Sequence, residues 1–302
     1  MRRIRFAARL APAFALVFVL VTLVACGDVP PTATDVPPKP TVTPAPPPTS
    51  TPEAPTATPT TEPTPTVVAV PVEERGFVPV LCYHHIRDWV ASDTEDEKAY
   101  IVPPSLLEEQ LAWLKDSGYT GVVAEDVYEY VKNGKPLPPK PVMLSFDDND
   151  DNQFTNARPL LQKYGFNATF FVMTVTIDKE NYMTSEQLVQ LDKEGFDLQP
   201  HTWDHYTVVN YTPEDFVKQL KQPKETLEEL LGHETPFFAY PFGLYDKKSA
   251  DELVKYGYKG AFRLRDILDD EVAPEYAMKR YIANAYWTMD QFATVVEGGW
   301  ED

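Results

Sequence analysis

Half of the chain's prolines fall in one stretch: residues 27 to 72 hold 15 of the 30, with 12 threonines and no aromatic side chain. Proline fixes φ and removes a backbone donor, so this stretch cannot build helix or sheet ladders, and it has too little apolar surface to offset the entropy of ordering. It is expected to be a tether in extended polyproline geometry, reaching on the order of 140 Å. Folding is thereby confined to residues 73 to 302, which carry nearly all of the aromatics and suffice for one sizeable core, not for several domains. The chain's net charge is −19, and residues 73 to 302 alone, with 22 basic and 42 acidic side chains, come to −20. Such a body argues against nucleic acid as a partner, because phosphate binding draws on clustered Lys and Arg.

Arg2, Arg3, Arg5 and Arg9 precede an apolar run from Leu10 to Val24, the pattern of a secretory signal. An uncleaved anchor would need about 20 apolar residues. Leu23-Val24-Ala25-Cys26, followed by Gly27, resembles the lipobox of bacterial lipoproteins. That resemblance implies a signal peptide over 1–25, a lipidated Cys26 heading the linker 26–72, and an extracytoplasmic head anchored to the membrane at the cell surface. Cys82, the other cysteine, sits in an apolar run and reads as a small core residue.

Through residues 73 to 302, short apolar or β-branched runs alternate with amphipathic stretches, the pattern of a parallel sheet covered by helices. Eight strands are predicted: Val78 to Tyr83, Thr120 to Val123, Val142 to Phe146, Ala168 to Met173, Phe196 to Gln199, Phe237 to Tyr240, Tyr258 to Phe262 and Lys279 to Ala283. Helices are predicted for Leu106 to Asp116 with Ser105 as cap, Thr155 to Tyr164, Ser185 to Lys193, Pro213 to Leu231 and Asp246 to Tyr256, each closing near a glycine. The fold class is α/β, barrel-like or doubly wound, and ligands then bind where loops leave the carboxyl ends of the strands.

Four such ends carry chemistry. Asp147 and Asp148 close a buried apolar run, where their mutual repulsion would be relieved by a bound cation or a raised pKa, although a polar turn would also explain them. His201 and His205, four positions apart after another strand, can converge on one Zn, Fe, Ni or Co ion. Tyr240-Pro241-Phe242-Gly243 forms a turn that could expose a backbone N–H as an oxyanion donor. His84, at the end of the first strand, could serve as a general acid or be an ordinary hydrogen-bonded residue.

Ser145-Phe146-Asp147-Asp148 and His201-Thr202-Trp203-Asp204-His205, with Leu81-Cys82-Tyr83-His84-His85 before them and Phe238-Ala239-Tyr240-Pro241-Phe242-Gly243 after, resemble the polysaccharide deacetylase family, the carbohydrate esterases of family four. The similarity covers the whole of residues 73 to 302 and is to the branch of the poly-N-acetylglucosamine deacetylases of biofilm systems. It implies a single catalytic domain, a deformed (β/α) barrel of seven to eight parallel strands. It implies Asp147 as general base, and Asp148, His201 and His205 as ligands of a divalent metal, Zn first and Fe, Co or Ni as alternatives. The backbone N–H of Phe242 becomes the oxyanion donor, His84 the acid that protonates the leaving amine, and Tyr240, Pro241 and Trp203 substrate contacts. The substrate implied is an extracellular N-acetylated polysaccharide. The sequence departs from the family pattern at Asn149, in place of a glycine, and at Ala239, in place of an arginine; the second change removes the salt link expected to orient the base. Two other functions remain open: a glycan-binding surface lipoprotein without turnover, and an O-acetyl esterase of the xylan type.

Overall fold

The computed structural model describes residues 69–264 and 271–299. The expected signal peptide, Cys26 and nearly all of the tether lie outside the described residues. The described residues form nine short strands: β1 (Val80–Tyr83), β2 (Thr120–Val122), β3 (Pro141–Asp147), β4 (Thr169–Val172), β5 (Asp197–Pro200), β6 (Phe237–Ala239), β7 (Gly260–Arg263), β8 (Met278–Lys279) and β9 (Tyr281–Ile282). All the ladders between them are parallel. They form two sheets, one ordered β5-β4-β3-β1-β9 with β2 also on β3, the other β6-β7-β8.

β1 and β4 are buried along their whole length and β3 at every residue after Pro141, as parallel strands flanked on both faces must be. Side chains alternate between the two faces, and the alternation divides the core. Val142, Leu144 and Phe146 of β3 pack outward with Leu81 and Phe170 against the helices. Met143 turns inward with Val80, Phe171, Phe237, Phe262 and Met278 to fill the base of the barrel. By the same period, Asp147 follows Met143 to the inside, Cys82 and His84 follow Val80, and Arg280 follows Met278. Polar chemistry thus sits directly above an apolar floor.

The strand predicted at Lys279 to Ala283 is two strands: β8 pairs with β7 and β9 pairs with β1. The chain changes sheet at Arg280, whose buried side chain (1% exposed) occupies the switch. On the opposite seam, between β5 and β6, a side chain bridges instead of a ladder: Gln199 Oε1 accepts from the Phe237 N–H at 2.8 Å, and Gln199 Nε2 donates to Asp197 Oδ1 at 2.6 Å. These two seams make the barrel irregular.

The helix predicted behind Ser105 starts at Pro104, with Pro103 before it and no side-chain cap; proline suits a first turn whose N–H groups lack partners anyway. The helix Ala124–Asn133, ended by Gly134 in the left-handed region, was not predicted. Two predicted helices hold π-helical turns, at Gln153–Ala157 and Val217–Lys221. Among the described residues no helix is long and apolar enough to cross a membrane.

Gln199→Met keeps the side-chain volume but leaves the buried Phe237 N–H unpaired. Urea unfolding should show a loss of about 1–3 kcal/mol; a loss below about 0.5 kcal/mol, no more than an ordinary surface change produces, would mean that the seam does not depend on this bond.

Candidate active site

The strand ends named from sequence meet at one mouth of the barrel, around a cavity of about 570 Å³ whose walls include His84, Asp147, Asp148, His205, Phe242 and Tyr100. Asp147 ends β3 in extended geometry, whereas Asp148 and Asn149 turn through the left-handed region at φ 76° and 46°. The turn therefore sends two adjacent carboxylates to different partners. Asparagine tolerates this backbone geometry, and its side chain adds a reason for being there. Asn149 Oδ1 accepts from the Met173 N–H at 2.9 Å and from Thr176 Oγ1 at 3.1 Å, fixing the loop beyond β4.

Asp147 is buried and held by Arg280 in a two-pronged ion pair: Nη1 donates to Oδ1 at 2.6 Å and Nη2 to Oδ2 at 2.7 Å. Burial raises its pKa, but the Arg280 guanidinium outweighs burial and keeps the carboxyl ionised well below the usual carboxylate range. This corrects the expectation from Ala239. A salt link to Asp147 is present, supplied from the β8–β9 switch instead of the end of β6. The signal in the sequence was an arginine directly before the apolar and aromatic run Tyr281-Ile282-Ala283 of the predicted strand, where an unpaired buried cation would be very costly.

Asp148 faces the two histidines. Its Oδ1 lies 3.7 Å from His201 Nε2 and 3.8 Å from His205 Nε2, too far for a hydrogen bond. His201 Nδ1 sits 2.7 Å from the Ala239 carbonyl, which can only accept, so Nδ1 carries the proton and Nε2 is the free lone pair. Both His201 Nε2 and Asp148 Oδ1 are buried without a hydrogen-bond partner. Burial lowers the pKa of His201 to about 3 and also lowers that of His205, leaving both rings neutral. Burial, reinforced by the charges of Asp147 and Asp150 against the pull of His84, raises that of Asp148 to about 6.

Ligand atoms of Asp148, His201 and His205 all lie within 4.8 Å of one another. Two neutral imidazoles and a carboxylate, with unpartnered atoms turned toward a common point, suit a divalent cation that each would approach at about 2.0–2.2 Å. The donor set fits the ion that the sequence led us to expect.

His84 lies on the facing wall. One of its ring nitrogens, Cys82 Sγ and an Asp147 carboxylate oxygen also fall within 4.8 Å of one another. Its Nδ1 is buried without a partner, its ring meets Tyr100 edge-on at 5.3 Å, and burial lowers its pKa. His85 pairs instead with Asp150 at 3.0 Å. Phe242 stands in the cavity wall at φ 57° and 52% exposure, its ring 4.5 Å from that of His205. Gly243 beside it permits this: at φ 66°, a Cβ there would lie 2.2 Å from the Leu264 nitrogen.

The expected substrate contacts Tyr240, Pro241 and Trp203 are not among the residues lining the cavity. Tyr240 is fully buried, because strand alternation turns it outward with Phe238 and Tyr258 against the helices, and its hydroxyl donates to the Tyr276 carbonyl. Pro241 is buried in the turn. Trp203 lies under the Lys218 ammonium, 3.6 Å from the ring centroid. The aromatic residues that do face the cavity are Tyr100 and Phe242.

Arg280→Met strands a buried carboxylate and should cost about 3–5 kcal/mol, whereas adding Asp147→Asn to that variant should change little or restore stability. Additive losses in this double-mutant cycle, read by urea unfolding, would contradict the pairing.

Residues 134–261, a span that contains Asp147, Asp148, His201, His205 and Phe242, match the polysaccharide deacetylase family. A solved polysaccharide deacetylase from Bacillus cereus is 30% identical, with a TM-score of 0.64 over 72% of this chain and 68% of that one. The deacetylase PplD of Streptococcus pyogenes, solved in complex with acetate, is 25% identical with a TM-score of 0.65 over 72% of this chain and 97% of that one. The poly-beta-1,6-N-acetyl-D-glucosamine N-deacetylase of Staphylococcus aureus is 26% identical over 208 residues, 62% of this chain and 71% of that one. Curated relatives are matched over 65% to 71% of their length. With 30% identity to a solved member over more than two thirds of its length, on a shared parallel α/β fold, the chain belongs to the polysaccharide deacetylase family of hydrolases.

Proposed function

We propose that the chain removes acetyl groups from N-acetylhexosamine units of an extracellular polysaccharide, using a divalent metal, Zn first among the candidates, held by Asp148, His201 and His205. The observation that carries this reading is the separation of two adjacent aspartates, one on an arginine and the other on two neutral histidines. When bound, the ion supplies Lewis acidity, polarising the acetyl carbonyl and acidifying nearby water. Arg280 keeps Asp147 ionised and fixes both of its oxygens, so Asp147 can accept the proton of the attacking water. The water oxygen bonds to the carbonyl carbon, and the backbone N–H of Phe242 is the candidate donor to the oxygen that gains charge. As the C–N bond breaks, the amine nitrogen takes a proton from His84, whose pKa burial lowers against the opposing charges of Asp148 and Asp147. The products are acetate and a hexosamine.

The shape of the surface supports a polymer as substrate. A hollow of about 360 Å³ shares His85, Asp148 and His205 with the central cavity and reaches Thr176 and Tyr182. Another of about 270 Å³ shares Tyr100, Leu264 and Ile282 with it and reaches Asn284 and Trp287. A trough that continues past the site in this way suits a unit inside a chain better than a free sugar. Earlier in the sequence, the arginines before residue 10, the apolar run and Cys26 support export and lipid anchoring, with the proline-rich tract as spacer. The acidic head would retain a cationic, deacetylated product at low salt.

Incubated with a divalent ion and N-acetylglucosamine oligomers, the full chain should release acetate, faster per site from pentamer than from monomer. Asp147→Asn should lose at least about a hundredfold in rate while still binding metal. Acetate from acetylated xylan alone would favour the esterase reading, and glycan binding with no acetate from either substrate would favour the non-catalytic one.

A further inference from the structure

The site is built on backbone that does not hold itself. In the turn His201–His205, Thr202 and His205 are both in the left-handed region, at φ 69° and 63°, which is strained for a residue other than glycine. Across the cavity, β1 and β3 end side by side and their last carbonyls, near His84 and Asp147, run out of ladder partners. In both places a buried glutamine from a π-helical turn supplies the missing bonds.

Gln219 lies in the turn Val217–Lys221 and is 2% exposed. Its Oε1 accepts from the Trp203 N–H at 3.1 Å and the Asp204 N–H at 3.4 Å, and its Nε2 donates to Asp204 Oδ1 at 2.7 Å. Lys218, next in the same turn, covers the Trp203 ring and lies 3.8 Å from Asp204 Oδ2. Gln153 opens the turn Gln153–Ala157 and is fully buried; its Nε2 donates to the Asp147 carbonyl at 2.5 Å and to the His84 carbonyl at 2.8 Å. A π-turn inserts one residue into the helical register and so re-aims a side chain that regular α-helix would point elsewhere. Here two such insertions each aim a buried amide at the site.

We infer that Gln219 and Gln153 are positioning residues with separate tasks: Gln219 braces the turn that presents His201 and His205 to the metal, and Gln153 sets the spacing of Asp147 and His84. The inference rests on the metal reading of Asp148, His201 and His205. Each glutamine is tested by replacement with methionine, which keeps the volume and removes the bonds, and with asparagine, which keeps the amide but is too short and should fold where methionine does not. The readouts are the Kd of Co²⁺, followed by its visible absorption, kcat on an N-acetylglucosamine oligomer, and Tm.

Gln219→Met and Gln219→Asn should bind Co²⁺ about 10- to 100-fold more weakly with an altered spectrum. Gln153→Met and Gln153→Asn should keep the Co²⁺ Kd within about twofold and lose about 10- to 100-fold in kcat, as misplaced reacting groups do. If all four variants lower Tm but leave Kd and kcat near the unsubstituted values, the glutamines are only structural and the inference is overturned. If the unsubstituted chain binds no Co²⁺, the metal reading itself fails and the Gln219 half with it, while kcat still decides Gln153.

Discussion

The pairing of Arg280 with Asp147 is the interaction on which the rest of the site depends. A carboxylate at the top of an apolar barrel would otherwise take up a proton or be excluded from the fold, since burial strongly opposes its charge. The guanidinium answers both oxygens and lies against the ring of Phe171 at 5.0 Å, so the cation is accommodated on its apolar side as well. The pair also spans the barrel, because Arg280 stands where the chain leaves the small sheet for the large one. Removing the arginine would disturb the closure of the fold and the charge of the site together. A buried ion pair is weak evidence for stability in general; here its significance is the protonation state and orientation it imposes.

With Asp147 committed to arginine, Asp148 is left to the histidines, and a difference of one backbone conformation separates the two. The extended residue stays on the arginine side, and the left-handed one swings toward His201 and His205. The Ala239 carbonyl then selects the His201 tautomer by accepting from Nδ1, so the end of β6 acts through its backbone. This gives a physical account of why alanine suffices at that position. Asp147 is paired instead by an arginine from another strand end.

Much of this could be read in the sequence. The apolar runs located the strands, since fully buried parallel strands have no alternation to obscure them. Asp147-Asp148 and His201 with His205 stood out because acidic pairs and histidines at strand ends are rare and chemically specific. What stayed hidden depended on facing. Tyr240 looked like a wall of the cleft by its position in a turn motif, but its place in the alternation of β6 turns it to the helices. Arg280 lies 133 residues from Asp147, and no local pattern records which buried acid a buried arginine will meet. The π-turns were equally silent, because Gln153 and Gln219 look like ordinary polar positions on helices until the inserted residue rotates them inward. The tether and the export signal are expectations from composition and motif, and Cys26 with nearly all of the tether lies outside the described residues.

The central claim is that the two aspartates divide the work, Asp148 binding metal while Asp147 stays on arginine. Among the described residues two side-chain groups could compete for an ion: Asp148 with His201 and His205, and Asp147 with Cys82 and His84. Anomalous diffraction from crystals of the zinc-loaded protein separates them directly. The account predicts one peak bonded to Asp148, His201 and His205, with both oxygens of Asp147 still on Arg280. A peak on Cys82 and His84, or an Asp147 carboxylate drawn from Arg280 onto the ion, would contradict it.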